Sequence, residues 1–242
     1  MVLTIHHLGI SQSERILWLC EELGLPYTLV KHVRAPVLAP ESLKSLPGNP
    51  LGRAPFIEDS ATGVTLSESG AVVEYIIHRY GGGRLSVGPE AEAKAYAEYL
   101  YWFHFANATL QPALQVSMFI GLARLDDGAM VQGLADKRLH VALKQLDDRL
   151  GESQWLAGAE FTAADIMTVY CISTQRYYGL GSLAGYGNVL RYLGECGGRE
   201  GYRRAMERGD PELEVLLGAE APGKSLIEGG GVESDIWKKK KK

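Results

Sequence analysis

The apolar patterning of this 242-residue chain changes character once, at Gly81-Gly82-Gly83, and that change limits the fold more than any other feature. Before the glycines, short strand-like runs alternate with helical spacing; after them, strand signals nearly vanish. Leu3 to Leu8 is short and apolar and reads as a buried strand. Ile16, Leu17, Leu19, Cys20 and Leu23 follow at helical spacing, and Gly24 ahead of Leu25-Pro26 stops that helix. Tyr27 to Val33 reads as a second strand, and a β-α-β crossover implies parallel strands. Residues 35–52 hold four prolines and are expected to be irregular, with one helical turn near Glu41 to Leu46. Phe56-Ile57-Glu58 and Val64-Thr65-Leu66 flank Asp59 to Gly63 as a hairpin, and Ser69 to Tyr80 is helical. The order predicts a small α/β unit in which helices cover a mixed four-stranded sheet.

From Pro89 to about Leu217 the spacing predicts helices near 90–124, 130–150, 162–178, 187–197 and 200–208. The stripe Tyr96, Tyr99, Leu100, Phe103 and Asn107 on the first of them reads as packing. Phe161-Thr162-Ala163-Ala164-Asp165-Ile166 is a capping box with Asp165 where Glu is usual, and Phe161 and Ile166 are placed as its hydrophobic staple. Beyond Pro222, Gly- and Ser-rich sequence runs into Lys238 to Lys242 and reads as a disordered tail. The expected organisation is an α/β domain over residues 1–82, an all-helical domain over 88–220 and a tail over 221–242.

Charge and cysteine usage narrow the function. The net charge is −4, the five terminal lysines supply +5, and the rest of the chain therefore carries −9. Such an acidic body argues against nucleic acid as a partner. Cys20, Cys171 and Cys196 are odd in number, far apart and without a Cys-x-x-Cys, which fits unpaired thiols in a reducing cytoplasm and offers no zinc site. His6 and His7 are adjacent and point to opposite faces of a strand, so no metal pair is expected; His32, His78, His104 and His140 are scattered. No secretory signal and no apolar run long enough to span a membrane is evident. Glycine-rich nucleotide loops and a Gly-x-Ser-x-Gly elbow are missing from the sequence.

Two segments carry chemistry. Asn49-Pro50-Leu51-Gly52-Arg53-Ala54-Pro55-Phe56-Ile57 puts a proline at the first position of a strand after a glycine turn, a candidate cis peptide. In that form the N–H and C=O of Ala54 face outward and suit pairing with an extended, peptide-like ligand. Glu68-Ser69-Gly70 opens a helix, where Ser69 is a natural N-cap and free N–H groups form an anion site. The other segment is Ser11-Gln12-Ser13-Glu14-Arg15, between the first strand and first helix, on the edge where open α/β sheets bind ligands. A hydroxyl there can donate to a thiolate. A free thiol of pKa about 8.5 is only ~3% ionised at pH 7, and lowering it by about two units takes roughly 2.7 kcal/mol of preferential anion binding. By spacing alone, Ser11 and Glu14 also read as a capping box.

Taken together, these pieces resemble the cytosolic glutathione S-transferases, closest to the serine-type enzymes of fungi and bacteria. The resemblance runs from about Leu3 to Leu217 and rests on Ser11 to Arg15, Ile16-Leu17-Trp18-Leu19-Cys20-Glu21-Glu22-Leu23-Gly24-Leu25-Pro26-Tyr27, Asn49 to Pro55, Glu68-Ser69 and Thr162 to Asp165. It implies a thioredoxin-like N-terminal domain that binds glutathione and an all-α C-terminal bundle that helps shape the electrophile pocket. Position by position, it implies that Ala54, beside a cis Pro55, pairs with the cysteinyl part of glutathione. Glu68 and Ser69 hold the γ-glutamyl end, Ser11 stabilises the thiolate, and Thr162 and Asp165 form a folding cap. Ser13, two residues on, is the alternative hydroxyl. The first loop carries neither the tyrosine of the tyrosine-type classes nor a thiol-transferase cysteine. The implied activity is conjugation of glutathione, as co-substrate and without a prosthetic group or metal, to a small electrophile in a partly apolar cleft between domains. Reduction of organic hydroperoxides at the same site and a non-catalytic binding or assembly module are the alternatives. A two-fold homodimer in the cytoplasm is the implied setting.

Overall fold

The computed structural model describes residues 2–126, 128–179 and 181–240. The chain divides into two compact units, one made of Met1–Arg84, Gly197–Val215 and Leu226–Lys242, the other of Leu85–Cys196 and Leu216–Ser225.

The first unit is built on a four-stranded sheet of order β2-β1-β3-β4, with β1 Leu3–Leu8, β2 Thr28–His32, β3 Phe56–Asp59 and β4 Val64–Ser67. β1 and β2 are parallel, whereas β3 runs antiparallel to both β1 and β4. Helix α1, Glu14–Leu23, supplies the crossover and buries Ile16, Leu17, Leu19, Cys20 and Leu23. It ends at Gly24, whose φ of +65° is the left-handed C-cap that glycine adopts without Cβ cost. The single turn α2, Glu41–Lys44, and helix α3, Ser69–Arg79, complete the α/β part. His6 and His7 do face opposite sides of β1: His6 Nδ1 lies 3.1 Å from His32 Nε2, while His7 Nε2 lies 3.1 Å from the Asp210 carboxylate.

Two expectations about the C-terminal part need correction. Helix α9, Glu200–Gly209, which spacing places in the all-helical domain, groups with the sheet. The cause is charge pairing that no periodicity reveals. Arg199 forks onto the Glu22 carboxylate at 2.8 and 2.9 Å, Arg204 and Arg208 reach Glu21 at 2.9 and 2.7 Å, and Arg208 lies 4.1 Å over the Tyr27 ring. Trp18 meets Tyr202 edge-on at 4.8 Å beneath these pairs. The segment from 221, expected as a disordered tail, is described as packed chain as far as Lys240. Leu226 is fully buried, Val232 donates its N–H to the Pro36 carbonyl at 3.1 Å, and Glu214 and Lys239 exchange backbone bonds with Trp237 and Glu212 at 2.8 Å. Composition registers glycine, serine and lysine there, whereas a few apolar residues do the anchoring. Lys241 and Lys242 lie outside the described residues. Gly231 is the tightest point: its φ is +75°, and an added Cβ would come within 2.4 Å of the Pro36 carbonyl oxygen. Gly231→Ala is therefore expected to release the segment after Ser225, read as limited proteolysis at that point, with a stability loss of about 1–2 kcal/mol.

The second unit is helical. α4 (Ala93–Phe105), a single π-helical turn (Ala106–Leu110) and α5 (Gln111–Leu122) form one long run, followed by α6 (Met130–Glu152), α7 (Ala163–Ile172) and α8 (Gly187–Gly198). All ten residues of α7 are buried, which makes it the core of this unit. Its start is fixed by Thr162 and Asp165. The Asp165 carboxylate accepts the Thr162 N–H at 2.8 Å and the Leu156 N–H at 3.0 Å, and Thr162 Oγ1 accepts the Ala164 N–H at 3.3 Å. Among the described residues, no helix is long and apolar enough to cross a membrane.

Candidate active site

Strand register brings the separate motifs to one end of the sheet. Phe56 pairs with both His6 of β1 and Ser67 of β4, so Pro55, Glu68 and the loop after Leu8 leave the same edge. The approach to Pro55 is stapled by Asn49, a buried side chain that donates to the Arg53 carbonyl at 2.9 Å and accepts the Arg53 N–H at 2.8 Å. The Ala54–Pro55 peptide is cis. The backbone of Ala54 makes no hydrogen bond to any other described residue, which leaves its N–H and C=O for a ligand. Glu68 is exposed and holds a φ of +71°, outside the usual range of an L-residue. Ser69 directly behind it is buried at the start of α3.

The Ser11 loop is joined to Ser69 through Gln12 and Arg15, members of the same motif to which the sequence assigns no role of their own. Arg15, fully buried, donates from Nη1 to Gln12 Oε1 at 2.8 Å and to Ser69 Oγ at 3.0 Å. Ser69 Oγ in turn donates to Gln12 Oε1 at 3.3 Å. Removing that hydroxyl takes an acceptor from a buried guanidinium and loosens the start of α3. Ser69→Ala is expected to raise KM for glutathione about tenfold, near the cost of one charge-assisted hydrogen bond, with the ionisation of the bound thiol unchanged. A shift of that ionisation would contradict a purely binding role for Ser69.

The two candidate hydroxyls differ sharply in engagement. Ser13 is fully buried; its Oγ lies 2.9 Å from His7 Nδ1, accepts the Leu8 N–H at 3.2 Å and lies 3.2 Å from the Leu8 carbonyl. Ser11 keeps a small exposed surface. Its Oγ lies 2.7 Å from both the Leu8 carbonyl and Ser13 Oγ, and it accepts the Ser13 N–H at 3.2 Å. The Ser11–Glu14 capping box expected from spacing is replaced by this tighter turn: the α1 N-cap falls on Ser13, which makes no side-chain cap bond. The loop before Ser11 is held from below. Ile10 has a φ of +53°, a left-handed conformation that costs a β-branched residue about 1–3 kcal/mol. That geometry sends its N–H to the Asp210 carboxylate at 3.2 and 3.3 Å. Arg34 clamps the same loop by donating to the carbonyls of Gly9 at 2.9 Å and Ile10 at 3.0 Å. No sequence signal connected Asp210 or Arg34 with the serine loop.

A four-stranded mixed sheet with a cis proline leading into β3, followed by a helical unit, is the thioredoxin-like plus all-α architecture of the cytosolic glutathione transferases. Residues 11–79 match the family profile of the glutathione S-transferase N-terminal domain, and residues 113–200 match that of the C-terminal domain. The chain is 33% identical over 230 residues to glutathione S-transferase 3 of Schizosaccharomyces pombe, a match that covers 89% of this chain and 91% of the yeast protein. It is 31% identical over 159 residues to GstB of Escherichia coli, covering 64% and 74% of the two chains. A solved glutathione S-transferase from Actinobacillus pleuropneumoniae superposes with a TM-score of 0.75 at 27% identity, covering 86% of this chain and 93% of that one. The chain belongs to the glutathione S-transferase family.

Proposed function

We propose that the protein is a glutathione transferase of the serine type. The observation that carries this reading is the meeting of Ser11, Ala54-Pro55 and Glu68-Ser69 at one edge of the sheet, with Ser69 tied to the Ser11 loop by Arg15 and Gln12. Ala54 offers strand-like pairing to the cysteinyl backbone, the N–H groups at the start of α3 offer a seat for a carboxylate, and Glu68 takes the ammonium of the γ-glutamyl end. Ser11 then donates its proton to the thiolate, which attacks an electrophilic carbon. The protein contributes thiolate stabilisation and proximity. Ser11 is preferred to Ser13 because it alone of the two retains exposed surface. Three buried cysteines outside any disulfide agree with a reducing cytosol, and a two-fold homodimer is the form proposed by family.

The reading is tested by mixing the protein with glutathione and, in turn, an activated aryl chloride, an epoxide, an unsaturated aldehyde and an organic hydroperoxide. A thioether product formed one-for-one with glutathione consumed is expected from at least one carbon electrophile. Turnover of the hydroperoxide alone would make the protein a peroxidase on the same site. Tight glutathione binding with no turnover of any would leave a binding module.

A further inference from the structure

Ionising a bound thiol requires an acceptor for its proton, and the Ser11 loop is wired to one. A continuous chain runs from Ser11 Oγ to Ser13 Oγ at 2.7 Å, on to His7 Nδ1 at 2.9 Å, and from His7 Nε2 to the Asp210 carboxylate at 3.1 Å. Every member is buried. A carboxylate only accepts, so Nε2 of His7 carries the ring proton and Nδ1 is left as an acceptor. That has Ser13 donate to Nδ1, while the single proton of Ser11 faces two acceptors at 2.7 Å, the Leu8 carbonyl and Ser13 Oγ, and the relay runs when it turns to Ser13. We propose that His7, oriented by Asp210, receives the thiol proton through Ser13 and Ser11; this rests on the reading of Ser11 as the thiolate's partner.

The transfer balances. The thiol gives its proton to Ser11 Oγ, Ser11 gives its own to Ser13 Oγ, and Ser13 gives its own to His7 Nδ1. No bond between heavy atoms changes. The products are a thiolate facing the newly protonated Ser11 hydroxyl and an imidazolium that donates to Ser13 on one side and Asp210 on the other. Four structural features serve this arrangement. Asp210 is held by the Ile10 N–H as well as by His7. Ile10 is kept in its left-handed conformation to make that bond. Gly9 lets the carboxylate approach, since a Cβ there would sit 3.0 Å from Asp210 Oδ1. Gly209 lets the end of α9 approach the imidazole, since a Cβ there would sit 3.2 Å from both Cε1 and Nε2 of His7 and 2.7 Å from Leu17 Cδ1. The other titratable groups around His7 are His32, Lys31, Arg34, Glu212 and Lys238, which with Asp210 line the same cavity of about 300 Å³. Only Asp210 among them bonds the ring directly. His7, Ser13 and Asp210 are positioning and relay residues; Ser11 alone touches the sulfur.

The test counts protons. Glutathione is added to the wild-type protein in weak buffer at about pH 7.5, where the free thiol is about 90% protonated and an ordinary imidazole is mostly neutral. Thiolate absorbance and protons released are recorded together, with S-methylglutathione as the blank. The relay predicts that the thiolate appears with well under one proton released per site, because His7 retains it. In Asp210→Asn and His7→Gln the thiolate signal is expected to fall several-fold, and whatever thiolate remains is expected to release its proton in full. A full proton released by the wild-type protein alongside a full thiolate signal overturns the relay and leaves the transferase reading intact. No thiolate signal in the wild-type protein overturns both. A thiolate signal and proton count unchanged by Asp210→Asn also overturns the relay, whether or not His7→Gln folds.

Discussion

At saturating glutathione, Ser11→Ala is expected to move the acid limb of kcat/KM for the electrophile upward by about two pH units, from near 6.5 toward the free thiol value near 8.5. At pH 7 the ionised fraction of bound glutathione would fall about 25-fold, from roughly three quarters to ~3%. The rate should fall by less than that, because a more basic thiolate is the better nucleophile once formed. Raising the pH should therefore restore much of the activity, with hydroxide replacing the lost stabilisation. KM for glutathione should change little, since the proposed reading has the tripeptide held by Ala54, Glu68 and Ser69 and not by the sulfur's partner. Ser13→Ala is expected to act differently. It removes an interior link bonded to His7 and Leu8, so it disturbs the loop without taking away the hydroxyl that the proposed reading sets against the thiol. Pairing the two variants in one pH series separates loss of the donor from loss of the scaffold behind it.

Replacement of Asp165 is the expected largest loss of stability. Its side chain is fully buried and accepts from the Leu156 N–H, the Thr162 N–H, Thr162 Oγ1 and, at 3.0 Å, Tyr192 Oη. Asp165→Ala leaves two backbone donors and a phenol in the core with no acceptor and abolishes the cap of α7. At about 1–3 kcal/mol for each buried group left unsatisfied, the expected cost is about 4 kcal/mol. That is a large share of the ~5–15 kcal/mol that holds a domain folded. Asp165→Asn keeps one acceptor and should cost about half as much. The deficit should depend on pH with a definite sign. Burial drives the Asp165 carboxyl up, outweighing the hydrogen bonds from Leu156, Thr162 and Tyr192, to about 6 from 3.8. Between these values the folded chain binds the proton that the unfolded chain has released, so the contribution of Asp165 is full below about pH 4 and declines as pH rises through 6. Denaturant titrations of wild type and Asp165→Ala should therefore diverge most in acid and less at neutral pH. A difference that widens from pH 5 to pH 7 would contradict this account.

Much of this was readable because it is local. The β-α-β opening, the 56–59 and 64–67 hairpin and the long helices follow from spacing within a dozen residues, and the edge that gathers Ser11, Pro55 and Glu68 follows from their topology. The box at Thr162–Asp165 was readable for the same reason, since its partners stand three residues apart. What the sequence does not show depends on distant pairing. His7 and Asp210 are separated by 203 positions, and the adjacent histidines gave no hint that one of them faces a carboxylate while the other faces His32. Helix α9 reads as one more amphipathic helix in the sequence; Glu21 and Glu22 facing Arg199, Arg204 and Arg208, with Trp18 against Tyr202, assign it to the sheet. The segment after Pro222 misled by composition, because Leu226, Val232 and Trp237 are few among glycine, serine and lysine.

The most direct test of the central claim is an ultraviolet titration of bound glutathione against pH in the wild-type protein, Ser11→Ala and Ser13→Ala. Ser11 as the thiolate's partner predicts ionisation well below pH 8 in the wild-type protein and a return to the free value in Ser11→Ala, with Ser13→Ala retaining most of the shift. An unshifted thiol in the wild-type protein, or a shift that survives in Ser11→Ala and vanishes in Ser13→Ala, would contradict it.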